Sequence, residues 1–194
     1  MSTIAKIEQA GRSMVEMLGV LAIIGVLSVG GISGYSKAMA KYKLTKAQDQ
    51  MSMLLINIRT AYATSSGYAG LTTQTAYEYN ILPKEMAQTS TQFVNAFGGE
   101  IVVGTDTDSR FTIELRGLGK ETCISLATSD WGTEGLHSIE VGTASDGSAA
   151  PTFNESHTLQ YSDDIERSLP IVLSRANIEC ASKDATNAIR WTYY

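Results

Sequence analysis

The residue types with most to offer chemically lie in two places. Near the start, Gly11, Arg12 and Glu16 precede about 20 residues, Met17 to Ser36, without a single charge. A carboxylate at the mouth of such a run is costly to place in a membrane and needs a partner or a task. Arg12 stands four positions before Glu16, on the same face of a helix, so an intrahelical pair that eases insertion is one use for both. Far along the chain, Cys123 and Cys180 are the only cysteines. With His137 and His157 in no metal-ligand spacing, they do not make a four-ligand metal site. Either they form a disulfide in an oxidising compartment or they are two free buried thiols, and the composition favours the disulfide. Closing a loop this long stabilises a fold by about 4 kcal/mol in the chain-entropy picture.

Other constellations carry less. Asp106 and Asp108 have part of the spacing of a calcium loop, but no glutamate completes it, so a solvated turn is the simpler reading. Serine, histidine and aspartate are present without a G-x-S-x-G or other nucleophile motif, and there is no glycine-rich phosphate loop. No catalytic residue, metal or cofactor is expected, and the chain does not read as an enzyme. Gly30 and Gly34 have the small-residue spacing that lets membrane helices approach closely, and they serve equally well as points of local bending.

The elements that must position these residues follow from periodicity. At 1.5 Å per residue the uncharged run spans roughly 30 Å, the thickness of a hydrocarbon core, so residues of about 14–34 read as membrane-spanning. Tyr35, Met39, Tyr42, Leu44, Ala47, Met51, Leu54, Leu55, Ile58 and Tyr62 then recur at spacings of three and four. That is one apolar stripe, so the spacing predicts a helix from Ser13 to Thr64, closed by Ser65, Ser66 and Gly67. From Tyr68 to Phe97 the periodicity is weak, which suggests a loop carrying a short helix near Pro83 to Ala87. Beyond Gly98 and Gly99, Ile101 to Val103 and Phe111 to Leu115 flank the polar turn Thr105 to Ser109, a hairpin pattern. Glu121 to Ser129 reads as a short helix with Cys123 and Leu126 on one face. A strand is expected in the second half of Trp131 to Val141, a loop from Gly142 to Pro151, a segment at Ile165 to Leu173, and a terminal strand at Ala188 to Tyr193.

Charge is divided along the chain. Of 194 residues, 43% are hydrophobic, and the formal net charge of -5 conceals a basic stem and an acidic remainder. After Ser65 there are 8 Lys or Arg against 17 Asp or Glu, whereas up to that point there are 7 against 3. An acidic head is a poor general binder of nucleic acid.

The sequence GRSMVE followed by the apolar run resembles the processing site of type IV prepilins, and the long segment between Cys123 and Cys180 looks most like the type IVb group. The resemblance implies a leader peptide of residues 1–11, a long N-terminal helix over residues 12–65 and a globular head over residues 66–194. It implies cleavage between Gly11 and Arg12 by a prepilin peptidase, N-methylation of Arg12, an assembly role for Glu16 and a disulfide between Cys123 and Cys180. Family members usually begin their mature chain with an apolar residue, and Arg12 departs from that pattern. The implied fold is α+β, a long helix with a transmembrane, protruding first half and a second half packed on an antiparallel sheet.

The implied function is that of a structural subunit, held in the bacterial inner membrane and polymerised with copies of itself on an inner-membrane assembly platform. The extracellular filament would serve adhesion, motility or aggregation through a host or cell-surface receptor. A pseudopilin or minor pilin of a secretion or DNA-uptake system shares the same N-terminal signal. A membrane-anchored periplasmic binding or enzymatic domain is the alternative of another class. Lys37, Lys41, Lys43 and Lys46 follow the span, and positive-inside bias alone would leave the head in the cytoplasm. The disulfide and the resemblance place it outside.

Overall fold

The computed structural model describes residues 3–132, 134–145, 149–154, 156–158 and 167–194, with side chains from residue 14 onward. Two compact units result, residues 1–42 and 43–194.

Helix α1 (Thr3–Ala61) is the longest element, and no proline interrupts it. It starts well before the Ser13 that periodicity suggests, because Ala, Lys, Glu and Gln in the first residues are all good helix formers. It stops at Ala61, where residues 62–64 form a turn. In the first unit every described apolar side chain from Met14 to Ile32 is exposed, from 52% at Ile24 to 76% at Val26. In the second unit the same helix changes character: Ala47, Met51, Leu54 and Ile58 are buried, with Leu44, Leu55 and Tyr62 packed partly against them. Tyr35 and Tyr42, which the stripe predicts to be covered, are exposed.

The expected loop after α1 holds more structure than its weak periodicity suggests. Helix α2 (Thr73–Glu78) is started by a capping box in which Thr72 and Thr75 satisfy each other's backbone N–H groups. Because threonine takes the place usually held by Glu or Gln, the signal is easily missed. A 3-10 turn at Lys84–Met86 lies where the short helix is expected.

The sheet is antiparallel throughout. Strands β1 (Phe93–Val94), β2 (Glu100–Thr107), β3 (Arg110–Leu118), β4 (Leu136–Thr143), β5 (Thr152–Phe153), β6 (His157–Thr158) and β7 (Asn187–Tyr193) lie in the order β1-β2-β3-β7-β4-β5, with β6 also on β4. The hairpin strands are longer than expected, leaving only Asp108 and Ser109 between them. The terminal strand β7 is central, hydrogen-bonded to both β3 and β4. Alternation sets the faces. Phe111, Ile113 and Leu115 of β3 and Ile189, Trp191 and Tyr193 of β7 join Met51, Leu54 and Ile58 in one apolar cluster. Where β3 leaves register between Leu115 and Leu118, Gly117 has φ +71°, and a Cβ on the facing Gly99 would lie 1.9 Å from the Arg116 carbonyl oxygen. Only glycine fits both demands.

Two short helices flank the sheet, α3 (Lys120–Ala127) and α4 (Leu173–Glu179). Cys123 and Leu126 are buried on one face of α3, as their spacing predicts. Of the segment expected at Ile165 to Leu173, residues 165 and 166 lie outside the described residues, and so do residues 146–148 of the expected loop.

Candidate assembly stem and polar trench

The predicted site residues of the stem lie on α1. Gly11 and Arg12 belong to its backbone, but their side chains fall outside those described, and with them the Arg12–Glu16 pair. Glu16 is exposed and has no hydrogen bond or ion pair among the described residues. Around it the helix is apolar on all sides, and its hydroxyls make no demand on the surroundings. Ser28 Oγ donates to the Ile24 carbonyl at 2.7 Å, and Ser36 Oγ to that of Ile32 at 2.9 Å. A helix apolar all round is stable only in an apolar medium or among other helices. By length and composition it is able to cross a membrane. Beyond the apolar run Lys37, Lys41, Lys43 and Lys46 are all exposed.

In the head, the predicted cysteine pair is a disulfide, with Cα atoms 5.8 Å apart and a sequence separation of 57. It ties α3 to the end of α4. One residue earlier, buried Glu179 meets two cations or donors: Arg175 Nε at 2.6 Å and His157 Nε2 at 3.0 Å.

Sequence reasoning missed the outer face of the sheet. Its signal is alternation: Arg110, Thr112, Glu114 and Arg116 stand at every second position of β3, opposite the apolar set. Across the strands these residues form rows. Gly104, Thr112, Thr192 and Ser138 are register neighbours on β2, β3, β7 and β4, and they make a row of small side chains. One row further, Glu114 and Glu140 lie on either side of Arg190. Arg190 donates to Glu114 at 3.0 Å and to Glu140 at 3.3 Å, while its guanidinium lies 3.8 Å from the centre of the Phe153 ring. Arg116 bonds both Glu114 and Glu100, and Ser156 Oγ donates to Glu140 at 2.5 Å.

The opposite bank is Arg110 with His137. A bulge between Leu136 and Ser138 inserts His137 as an extra residue and turns it towards Arg110. Its Nε2 accepts from Arg110, and Nδ1 lies 2.9 Å from the Tyr194 hydroxyl. Burial, then the Arg110 charge, hold the His137 pKa below its ordinary value. Asp106, the expected turn residue, pairs with Arg110 at 2.9 Å. Between the banks the small residues leave a trench of about 550 Å³.

A family model described as PilS N terminal matches residues 41–193. The chain belongs to this family. No curated protein matches the sequence. Among solved structures, the type IV b pilin from Salmonella typhi is similar with a TM-score of 0.52 and 21% identity, over 79% of this chain and 98% of that one. TcpA, a type IV pilin from Vibrio cholerae El Tor biotype, is similar with a TM-score of 0.50 and 15% identity, over 79% and 99%. The fold is therefore that of type IV pilins, α+β with a long N-terminal helix and an antiparallel sheet, and it is similar to that of the type IV b pilin. Pilins of this family are structural subunits that self-assemble into filaments. The pilin's described site residues separate into a stem that has no enclosed chemistry and a head braced by the disulfide.

Proposed function

We propose that this pilin is stored in the bacterial inner membrane through the apolar part of α1 and polymerised into an extracellular filament after cleavage between Gly11 and Arg12. One observation carries the reading: a helix whose apolar side chains are exposed on every side from Met14 to Ile32. Lipid satisfies that surface before assembly, and the helices of neighbouring subunits satisfy it afterwards. Gly11 suits the processing step, since glycine has no side chain to obstruct a peptidase and costs about 1 kcal/mol of helix stability relative to alanine, which eases local unwinding. The new amine at Arg12, methylated in the mature protein, lies one helical turn from Glu16. An inner-membrane platform supplies the subunits, and adhesion, motility or aggregation through a surface receptor is the use of the fibre.

N-terminal mass spectrometry on filaments sheared from the native host tests this. The expected chain starts at Arg12 with a methylated amine, and Gly11→Val leaves the chain uncleaved and out of filaments. Full-length chains in sheared filaments, or normal assembly of Gly11→Val, would refute it.

A further inference from the structure

On one flank of α1, within the second unit, the helix and the loop after α3 enclose a cleft of about 190 Å³. That is smaller than the roughly 300–1,000 Å³ of pockets that hold cofactors or drug-sized ligands, so a single side chain is the size of occupant it suits. Its walls are of two kinds. Leu55, Trp131 and the ring of Tyr193 are apolar, while Gln48, Ser52 and Asp130 are polar.

The polar groups are acceptors with capacity to spare. Gln48 spends an amide N–H on Ser129 Oγ at 3.1 Å, which leaves its carbonyl oxygen. Asp130 accepts from the Gly132 N–H at 2.9 Å and is exposed, with no ion pair among the described residues. The Tyr193 hydroxyl is buried without a hydrogen-bond partner among the described residues, a condition that native structures rarely leave in place. Trp131 is held still: its indole N–H donates to the Leu126 carbonyl at 2.8 Å, and its ring meets that of Trp191 edge-on with centroids 5.0 Å apart. A fixed indole next to an unpaired carboxylate suits a cation, and Leu55 suits the methylenes that carry one. An anion would face Asp130, and a purely apolar group would leave Gln48, Ser52 and Tyr193 unsatisfied. Arg59, whose guanidinium lies 5.6 Å from the centre of the Tyr193 ring, reaches the main-chain oxygens of Glu134 and Tyr194 instead.

The same helix carries a cation on its other flank. Lys46 is exposed and has no ion pair among the described residues. At 3.6 residues per turn it stands about 180–240° around α1 from Leu55, Gln48 and Ser52, so it cannot fill the cleft of its own chain. At 1.5 Å per residue it lies about 8 Å before the middle of the cleft's helical wall, so a parallel neighbour displaced by that distance brings its Lys46 level with the cleft. A knob and a hole on opposite flanks make a heterologous contact, which repeats into a helical filament where the rotation does not close a ring.

We infer that the cleft receives the Lys46 side chain of a neighbouring subunit, its ammonium between Asp130 and Trp131 and its methylenes along Leu55, so that each copy is plugged into the next. The inference rests on the filament reading and names a contact within it.

Filaments sheared from the native host, and the full-length chain solubilised as a monomer in detergent, are treated with a carbodiimide, which joins a carboxylate to an amine where the two touch. Mass spectrometry of the digested dimer band locates the join. Filaments are expected to give an Asp130–Lys46 link that the monomer lacks, and Asp130→Asn should abolish it. Either single reversal, Asp130→Lys or Lys46→Asp, should lower filament yield roughly fivefold. Both reversals in one chain keep the combined length of the pair and should restore the yield and the link. Near-ultraviolet circular dichroism confirms that the variants remain folded. Wild-type filaments without the link, the same link in the monomer, a link from Asp130 to another lysine or another protein, or a double reversal no better than the single ones in a folded chain would overturn the inference and leave the filament reading standing. A wild type that yields no filaments would overturn that reading and the inference with it.

Discussion

The carboxylate of Glu179 accepts a hydrogen bond from His157 at 3.0 Å, and both side chains are almost completely buried. The tautomer follows from the acceptor: the ring nitrogen facing a carboxylate must carry the proton, and Nδ1 has no partner among the described residues. Strand β6, only two residues long, is thereby fastened to α4, one residue before the disulfide. Replacing Glu179 with alanine orphans the His157 donor and removes the Arg175 ion pair, at a cost of about 1–3 kcal/mol. Urea unfolding with the disulfide intact measures it. A change within about 0.5 kcal/mol would mean that the pair contributes nothing of note.

The disulfide makes a second, separable contribution. With a sequence separation of 57 between the cysteines, Cys180→Ser should lower stability by about 4 kcal/mol in the chain-entropy picture. The midpoint of denaturant unfolding should fall accordingly. Thiol titration of the denatured, unreduced wild type should find no free cysteine, and two titratable thiols would remove the premise.

How much of this was legible in the sequence depends on how local the cause is. Met51, Leu54 and Ile58 announce the buried face of α1 because a helix repeats its faces within a few residues, and the hairpin announces itself because alternation and turn lie side by side. Cys123 and Leu126 share a face of α3 for the same reason. The start of α1 was misplaced because the residues before Ser13 lack an apolar stripe, although their helix propensity is good. Helix α2 escaped notice because Thr75 replaces the usual Glu or Gln of a capping box. Tyr35 and Tyr42 continue the stripe in pattern but not in burial, since periodicity records a face and not what covers it. The trench was out of reach for another reason. Thr112, Thr192 and Ser138 come from three strands whose order, β3-β7-β4, brings the last strand of the chain to the middle of the sheet, and no local signal reports that.

His137 gives the head a pH dependence of known sign. In the fold, burial and Arg110 hold its pKa below the ordinary 6.5. Asp106 and Glu140 oppose that shift more weakly, and Tyr194 supplies the partner at Nδ1. As pH falls through about 6.5, the unfolded chain takes up a proton at this residue before the folded chain does, so stability falls with pH. The contribution is fully present above that range. His137→Gln should flatten the stability profile between about pH 7.5 and 5.5, where carboxylates of ordinary pKa stay ionised. A profile as steep as that of the wild type would assign the slope to another group.

Glu16 offers the sharpest test of how subunits come together. Its carboxylate sits beside an apolar stretch whose side chains are exposed all round, and it has no partner among the described residues. In a fibre core built from such helices, an uncompensated charge costs several kcal/mol, so assembly must supply a cation. The proposed cleavage after Gly11 would create one, the amine of Arg12. Its own chain holds that amine one helical turn away, and an incoming subunit brings another. If the incoming amine docks on the carboxylate of a subunit already in place, the pair fixes the axial register as well as the charge balance. Glu16→Ala should therefore leave membrane insertion and cleavage intact while sharply reducing filament yield, measured as pilin in the sheared surface fraction against pilin in the membrane. Glu16→Gln keeps a hydrogen bond without the charge and should fall between the two. Wild-type yield from the alanine variant would leave helix packing as the sole driving force of assembly.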